Sequence, residues 1–256
     1  MTFSKPYPPK APSDEQMIYG IRPVMEALEA GKEIERIFIH RGANSTLMTE
    51  LKNMLKEKKV EYQDVPVEKL NRLTRKNHQD VVCFVSPITY QHLHDIIPAV
   101  YERGLTPLVL VLDRITDVRN FGAIARTAEC AGVHALVIPA RGAAQINSDA
   151  IKTSAGALNN IAVCREKSLE ASLEFLHESG LQIVAVSEKG DQYPHQVDLK
   201  VPTVLVMGSE ETGIASTLLE TCDEKMRIPM FGKTLSLNVS VACGIVLFEA
   251  VRQRLS

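Results

Sequence analysis

From Ile18 onward, stretches with apolar residues three and four apart alternate with short apolar runs rich in β-branched residues. The first spacing marks a helix with one face turned inward, and the second marks a buried strand. The pattern predicts a helix opened by Pro23 and reaching Ala30, a strand over 34–39, a helix over 47–59, a strand over 60–65, a short helix from Val67 and a strand over 81–85. These elements form a first α/β unit at 16–86. Residues 87–106 carry Pro87 and Pro98 around one short helical stretch at 93–101, with Pro107 directly after, and are expected to link two domains. A second unit, 107–256, opens on a continuous apolar run at 107–112, as expected for a strand covered on both faces of a parallel sheet. Further strands are predicted over 135–138, 161–163, 182–186, 203–206 and 225–228, with helices between them. Residues 237–252 form a strongly apolar terminal helix, expected to be more buried than a surface helix. At 1–15, Pro6, Pro8, Pro9 and Pro12 stand among polar neighbours, which predicts a flexible tail whose apolar groups are too few to offset the entropy of ordering.

Composition narrows the class. With 256 residues, 45% hydrophobic and 23% charged, the chain can bury a core in each of two domains. Its longest uncharged apolar stretches, 105–112 and 239–248, fall short of the ~18 residues that cross a bilayer, so a soluble, cytoplasmic protein is expected. Cys83, Cys130, Cys164, Cys222 and Cys243 are odd in number and widely spaced, and read as reduced core thiols. His92 and His94 have no third partner that would make a metal site, and none is expected.

A net charge of −2 leaves no global basic field of the kind that marks many nucleic-acid binders. Two local clusters stand out instead: Lys52, Lys56, Lys58 and Lys59, then Lys69, Arg72, Arg75 and Lys76 with His78 behind them. Interspersed Glu50 and Glu57 fit a plain solvated helix face. The alternative is a phosphate-contacting patch, with Lys52, Lys56, Arg72 and Arg75 as its candidate RNA-binding residues.

The common phosphate-cradling loops fail on inspection. Gly208 and Gly213 have half of a P-loop, but Ile214 and Ala215 stand where Lys and Ser/Thr are needed. No GxGxxG follows a strand, and no GxSxG elbow is present. What remains are three polar clusters, each directly after an apolar strand, where open parallel sheets place their ligands. They begin at Asp113, Gly208 and Pro229.

Asn120 to Arg126 reads NxGxxxR, Gly208 to Gly213 reads GxExxG, and Ile228 to Ala242 reads IPMFGKTLSLNVSVA. In order and spacing these resemble the three signature motifs of the SpoU, or TrmH, branch of the SPOUT RNA methyltransferases, over about 113–249. The first unit is similar to that family's small ribosomal-protein-like substrate-binding domain, through Tyr19 to Leu28 and the His78-Gln79 pair. The nearest likeness is to the subgroup that methylates a guanosine ribose in large-subunit ribosomal RNA. Two residues depart from the pattern. Asp80 stands where glycine is common, placing a phosphate-repelling carboxylate on the RNA-facing turn, and Val118 stands where proline often precedes the motif.

The resemblance implies an α/β protein whose C-terminal SPOUT domain has a parallel sheet and a deep trefoil knot. It implies S-adenosyl-L-methionine folded into the knot's loops and a homodimer built on the terminal helix. It implies an RNA substrate, ribosomal in preference to transfer RNA because the first domain is present. Arg126 is then placed beside the ribose 2′-hydroxyl, either as the base or as a fixed cation for the developing alkoxide. Deprotonating arginine costs ~8 kcal/mol for roughly six pK units, which weighs against the base. Asn120 orients the arginine or the ribose, or merely caps a helix. Glu210 holds the cofactor loop, and Ser236 and Asn238 enter the cofactor or ribose shell or cap the last helix. Main-chain groups of Gly208, Ile228 and Leu237 contact adenine and ribose. The competing readings are a transfer-RNA 2′-O-methyltransferase and a non-catalytic ribosome-assembly factor, the latter opposed by the retention of every motif residue.

Overall fold

Main-chain contacts in the computed structural model divide the chain after Pro87 into two units. The structure describes residues 17–234 and 236–256, and the tail expected at 1–15 lies outside them. The first unit runs β1 (Met17–Tyr19), α1 (Ile21–Glu29), β2 (Ile34–His40), α2 (Thr46–Glu57), β3 (Gln63–Val65), α3 (Val67–Leu73) and β4 (Val81–Val85). Its four strands lie in the order β1-β4-β2-β3, with β4 antiparallel to β1 and β2, and β3 parallel to β2. Alternation along β2 decides which helix goes where, because successive side chains leave opposite faces. Ile37 and Ile39 meet α1 and α2 through Val24, Leu28, Met48, Leu51 and Leu55. Phe38 points the other way, to Val82, Phe84 and α3's Leu70.

The second unit runs α4 (Leu93–Glu102), β5 (Leu108–Leu112), α5 (Val118–Cys130), β6 (Ala135–Pro139), α6 (Ser148–Thr153), β7 (Ala162–Glu166), α7 (Leu169–Glu178), β8 (Gln182–Val186), β9 (Thr203–Met207), α8 (Ser216–Glu220), β10 (Glu224–Met226) and α9 (Val239–Leu255). All six strands are parallel, in the order β10-β8-β9-β5-β6-β7. Both faces are covered, which explains the unbroken apolar runs of β5 and β9. On one face α5, α6 and α9 contribute Phe121, Ile124, Ala150, Cys243 and Leu247. On the other, α4, α7 and α8 contribute Ile97, Leu173, Leu176 and Leu218.

Three expectations are corrected. Residues 88–106 are not a free connection: Leu93, Ile96, Ile97 and Val100, at helical spacing, are buried in the second core despite Pro98 inside α4. The terminal helix, expected to be more buried than a surface helix, is buried on one side only. Val239, Cys243, Val246, Leu247 and Ala250 face the core, while Val241, Ile245 and Phe248 are 51%, 41% and 50% exposed on the opposite side. Cys130 is exposed at the end of α5, whereas Cys83, Cys164 and Cys243 are buried and burial pushes their thiols up to about 12. Among the described residues no helix is long and apolar enough to cross a membrane.

Candidate active site

The three motifs begin at strand ends that point the same way, and side chains tie them together there. β5 hands over to Asp113, whose N–H donates to Met207 O at 2.8 Å and so prolongs the pairing of β5 with β9. Asp117 then caps α5, its Oδ1 accepting the N–H groups of Arg119 and Asn120 at 2.9 and 2.8 Å. Asn120 is therefore not the cap, and its side chain is left to reach outward. Asn238 caps α9 by accepting the Ser240 N–H at 3.0 Å, and its amide nitrogen has a second task.

That task is shared. Glu210 Oε1 accepts from Asn120 Nδ2 at 2.9 Å, from Asn238 Nδ2 at 2.9 Å and from the Val239 N–H at 3.3 Å. Asn238 Nδ2 also donates to Asn120 Oδ1 at 3.0 Å. One carboxylate oxygen thus joins the segments that follow β5, β9 and β10. Val239 N–H belongs to the first turn of a 17-residue helix, where backbone donors have no intrahelical partner and a negative charge is favoured.

Beside Glu210 lies a cavity of about 410 Å³, within the range of roughly 300 to 1,000 Å³ usual for small-molecule sites. Gly208, Ile228 and Leu237 all line it, together with Glu210 and Ser236. Its walls combine apolar Ile214, Val239 and Ala242 with acidic Glu188, Glu210 and Glu211, and no Lys, Arg or His is among the described residues lining it. Such a lining suits a cation with an apolar ring and disfavours a phosphate ester. The loop floor is tight. Ser209 and Gly213 exchange both backbone hydrogen bonds at 3.2 and 2.9 Å, and a Cβ on Gly208 would collide with the backbone of Gly213 and Ile214.

Asn120, Arg126 and Asn238 stand outside the cavity wall. Arg126, six residues beyond Asn120 on α5, is exposed, and its side chain makes no hydrogen bond or ion pair among the described residues. Gly122 of the same motif serves packing, since a Cβ there would fall 2.6 Å from Thr153 Cβ.

The four candidate RNA-binding residues do not form one patch. Lys52 and Lys56 ride on α2, and Arg72 and Arg75 on or just after α3, which packs on the opposite face of the sheet. Lys52 Nζ is already engaged, donating to Ala43 O at 3.2 Å, whereas Arg72 and Arg75 are exposed. The turn before β4 has Gln79 and Asp80 in the left-handed region, at φ 47° and 65°. Gln79 Oε1 accepts the Ile21 N–H at 3.2 Å and so caps α1, and the Asp80 carboxylate lies 3.2 Å from His40 Nδ1.

Sequence reasoning gave no role to Asp113 and Arg114. Asp113 is buried, takes both Arg114 Nε and Nη2 at 2.8 Å, and accepts the Ala215 N–H at 2.8 Å. The one legible signal was an acid set directly after a buried strand.

Residues 107–248 match the model of the SpoU rRNA Methylase family, and residues 17–91 match that for RNA 2′-O ribose methyltransferase substrate binding. The chain belongs to the SpoU rRNA methylase family. A relative from Mycolicibacterium vanbaalenii, called an uncharacterized tRNA/rRNA methyltransferase, is 36% identical over 249 residues, covering 96% of this chain and 79% of its own. The AdoMet-bound rRNA methyltransferase from Sinorhizobium meliloti superposes with a TM-score of 0.61 at 27% identity, over 94% of this chain and 88% of that one. The A. aeolicus TrmH/SpoU tRNA modifying enzyme gives 0.55 at 34% identity, over 64% of this chain and 84% of its own. This SpoU protein is an RNA methyltransferase that uses S-adenosylmethionine. The acid-lined, partly apolar cavity fits that cationic cofactor.

Proposed function

We propose that this SpoU enzyme methylates a ribose 2′-hydroxyl, that of a guanosine in large-subunit ribosomal RNA, in the manner of the RlmB subgroup. The observation that carries this reading is the junction of all three motifs at Glu210, beside an acid-lined cavity and with the Arg126 side chain unengaged among the described residues. Bound there, S-adenosylmethionine supplies an electrophilic sulfonium methyl. Gly208, Ile228 and Leu237, which line the cavity, would hold adenine and ribose through their main chains, and Ser236 would add a small polar contact. Glu210 fixes Asn120 and Asn238, so the ribose meets an ordered pair of amides, and alignment supplies much of the barrier reduction. The Arg126 guanidinium stabilises the alkoxide that develops as the hydroxyl proton leaves to water.

Ribosomal RNA is favoured because the likeness to the Sinorhizobium rRNA enzyme extends over nearly the whole chain, whereas that to the tRNA-modifying enzyme stops at 64%. The first unit would hold structured RNA through phosphates and shape, in the cytoplasm where ribosomes assemble. Since the basic clusters lie on opposite faces, the α3 side is the better candidate. Arg72→Glu with Arg75→Glu should weaken RNA binding about tenfold and flatten its salt dependence. Lys52→Glu with Lys56→Glu should change it less. Filter binding across a salt series reads both, and equal RNA affinity in the Arg72/Arg75 variant would exclude that face from RNA binding.

The knotted backbone and the homodimer belong to the same reading. Val241, Ile245 and Phe248 form an exposed apolar stripe at helical spacing on α9, which a second copy would cover. The wild type is expected to sediment as a dimer and Ile245→Asp with Phe248→Asp as a monomer. A monomeric wild type would refute the dimer.

A further inference from the structure

The cofactor loop between β9 and α8 is held at two points, and only one of them belongs to the signature motifs. At the first, Glu210 meets Asn120 and Asn238. At the second, the loop meets Asp113 and Arg114, the two residues that directly follow β5. Asp113 Oδ2 accepts the Ala215 N–H at 2.8 Å. Arg114 Nη1 donates to Thr212 Oγ1 at 3.0 Å, and Nη2 donates to Gly213 O at 3.1 Å. The guanidinium is itself fixed by its paired contacts with the Asp113 carboxylate, which raise its pKa and keep it charged. A planar fork with several donors can bridge such a set of acceptors at once, and a lysine cannot.

The backbone supports a purpose for this arrangement. Arg114 has φ 57°, a left-handed conformation that side chains other than glycine, asparagine and aspartate rarely adopt. This turn aims the guanidinium at the loop. Gly213, at φ 65°, and Thr212 both line the cavity, so the atoms that Arg114 grips belong to the cofactor wall. Thr212 is held further by Ser209, whose Oγ accepts its N–H at 3.1 Å.

We propose that Asp113 and Arg114 form a strut that presets the cofactor loop, which makes them positioning residues for S-adenosylmethionine. The inference rests on the reading that this cavity holds the cofactor. With the strut intact, the loop is ordered before the cofactor arrives and little ordering cost falls on binding. Without it, the segment from Thr212 to Ala215 loses its contacts with the residues that follow β5, while Glu210 keeps its own.

The test uses the full chain, with calorimetry of S-adenosylmethionine binding, thermal melting and methylation kinetics. Arg114→Ala should raise Kd for the cofactor about tenfold, the loss of one set of charge-assisted hydrogen bonds. KM for the cofactor should rise in step, with kcat at saturation within about threefold and RNA affinity unchanged. Arg114→Gly should show the same loss of cofactor affinity with a Tm no lower than that of Arg114→Ala, because glycine takes the left-handed backbone freely. Arg114→Lys should recover part of the affinity. Unchanged Kd in both Arg114→Ala and Arg114→Gly would overturn the strut. Parallel loss of Tm, RNA affinity and cofactor affinity would overturn it too, by making the residue a general folding element. A wild-type chain that does not bind the cofactor would instead overturn the assignment of the cavity.

Discussion

Arg126→Ala is expected to lower methylation under saturating cofactor and RNA by roughly 10²- to 10³-fold, the scale for removing one preorganised charge-stabilising donor. Cofactor affinity should stay within about twofold, because Arg126 does not line the cavity. Its exposed guanidinium makes no hydrogen bond or ion pair among the described residues, so truncation leaves no neighbour unsatisfied and Tm should barely move. Arg126→Lys should restore only part of the rate, since an ammonium keeps the charge without the planar fork. Single-turnover kinetics at several pH values check both variants. A full rate in Arg126→Ala would exclude the arginine from the reaction.

The second large effect is expected at Glu210. Three donors from two other segments converge on its Oε1, and Glu210→Ala leaves all three to water while freeing the loops from one another. Hydrogen bonds to a charged acceptor contribute about 1.5–3 kcal/mol each. Glu210 is exposed, so water compensates much of that sum and about 3 kcal/mol is the appropriate total, or on the order of 10² in kcat/KM. Unlike Arg126→Ala, this variant should also weaken cofactor binding. Glu210→Gln should rescue little, because the converging donors need charge on the acceptor. Steady-state kinetics with calorimetry decide it, and a variant with normal kcat/KM would reduce the junction to a surface contact.

Much of the second unit was legible because burial on both faces of a parallel sheet writes itself as unbroken apolar runs. The predicted strand at 182–186 coincides with β8, and those at 107–112, 135–138 and 203–206 lie within one residue of the observed bounds. β1 escaped notice because three residues cannot display a period, and it is held by pairing with β4 instead. The helix expected within 87–106 is present, but the prolines in and around it read as a link, and nothing in the spacing of Leu93, Ile96, Ile97 and Val100 says which core they join. On α9, apolar residues on both sides concealed that one side stays exposed among the described residues. The two basic clusters looked like one patch because sequence does not say which face of a sheet a helix covers.

At the site, the motifs located the loops but not their connections. Glu210 was expected to hold the cofactor loop, yet nothing in the spacing set Asn120 and Asn238 on the same oxygen. Arg114 lies 98 positions from Thr212, and its reach depends on a left-handed turn that no composition argument supplies.

The most direct test of the account incubates the purified enzyme with methyl-labelled S-adenosylmethionine and either unmodified large-subunit ribosomal RNA or bulk transfer RNA, with Arg126→Ala alongside. The product is mapped to the nucleotide and to the atom. Label on the 2′-oxygen of a single guanosine in ribosomal RNA, lost in Arg126→Ala, is the predicted result. Label on a base, label confined to transfer RNA, or equal labelling by Arg126→Ala would contradict it.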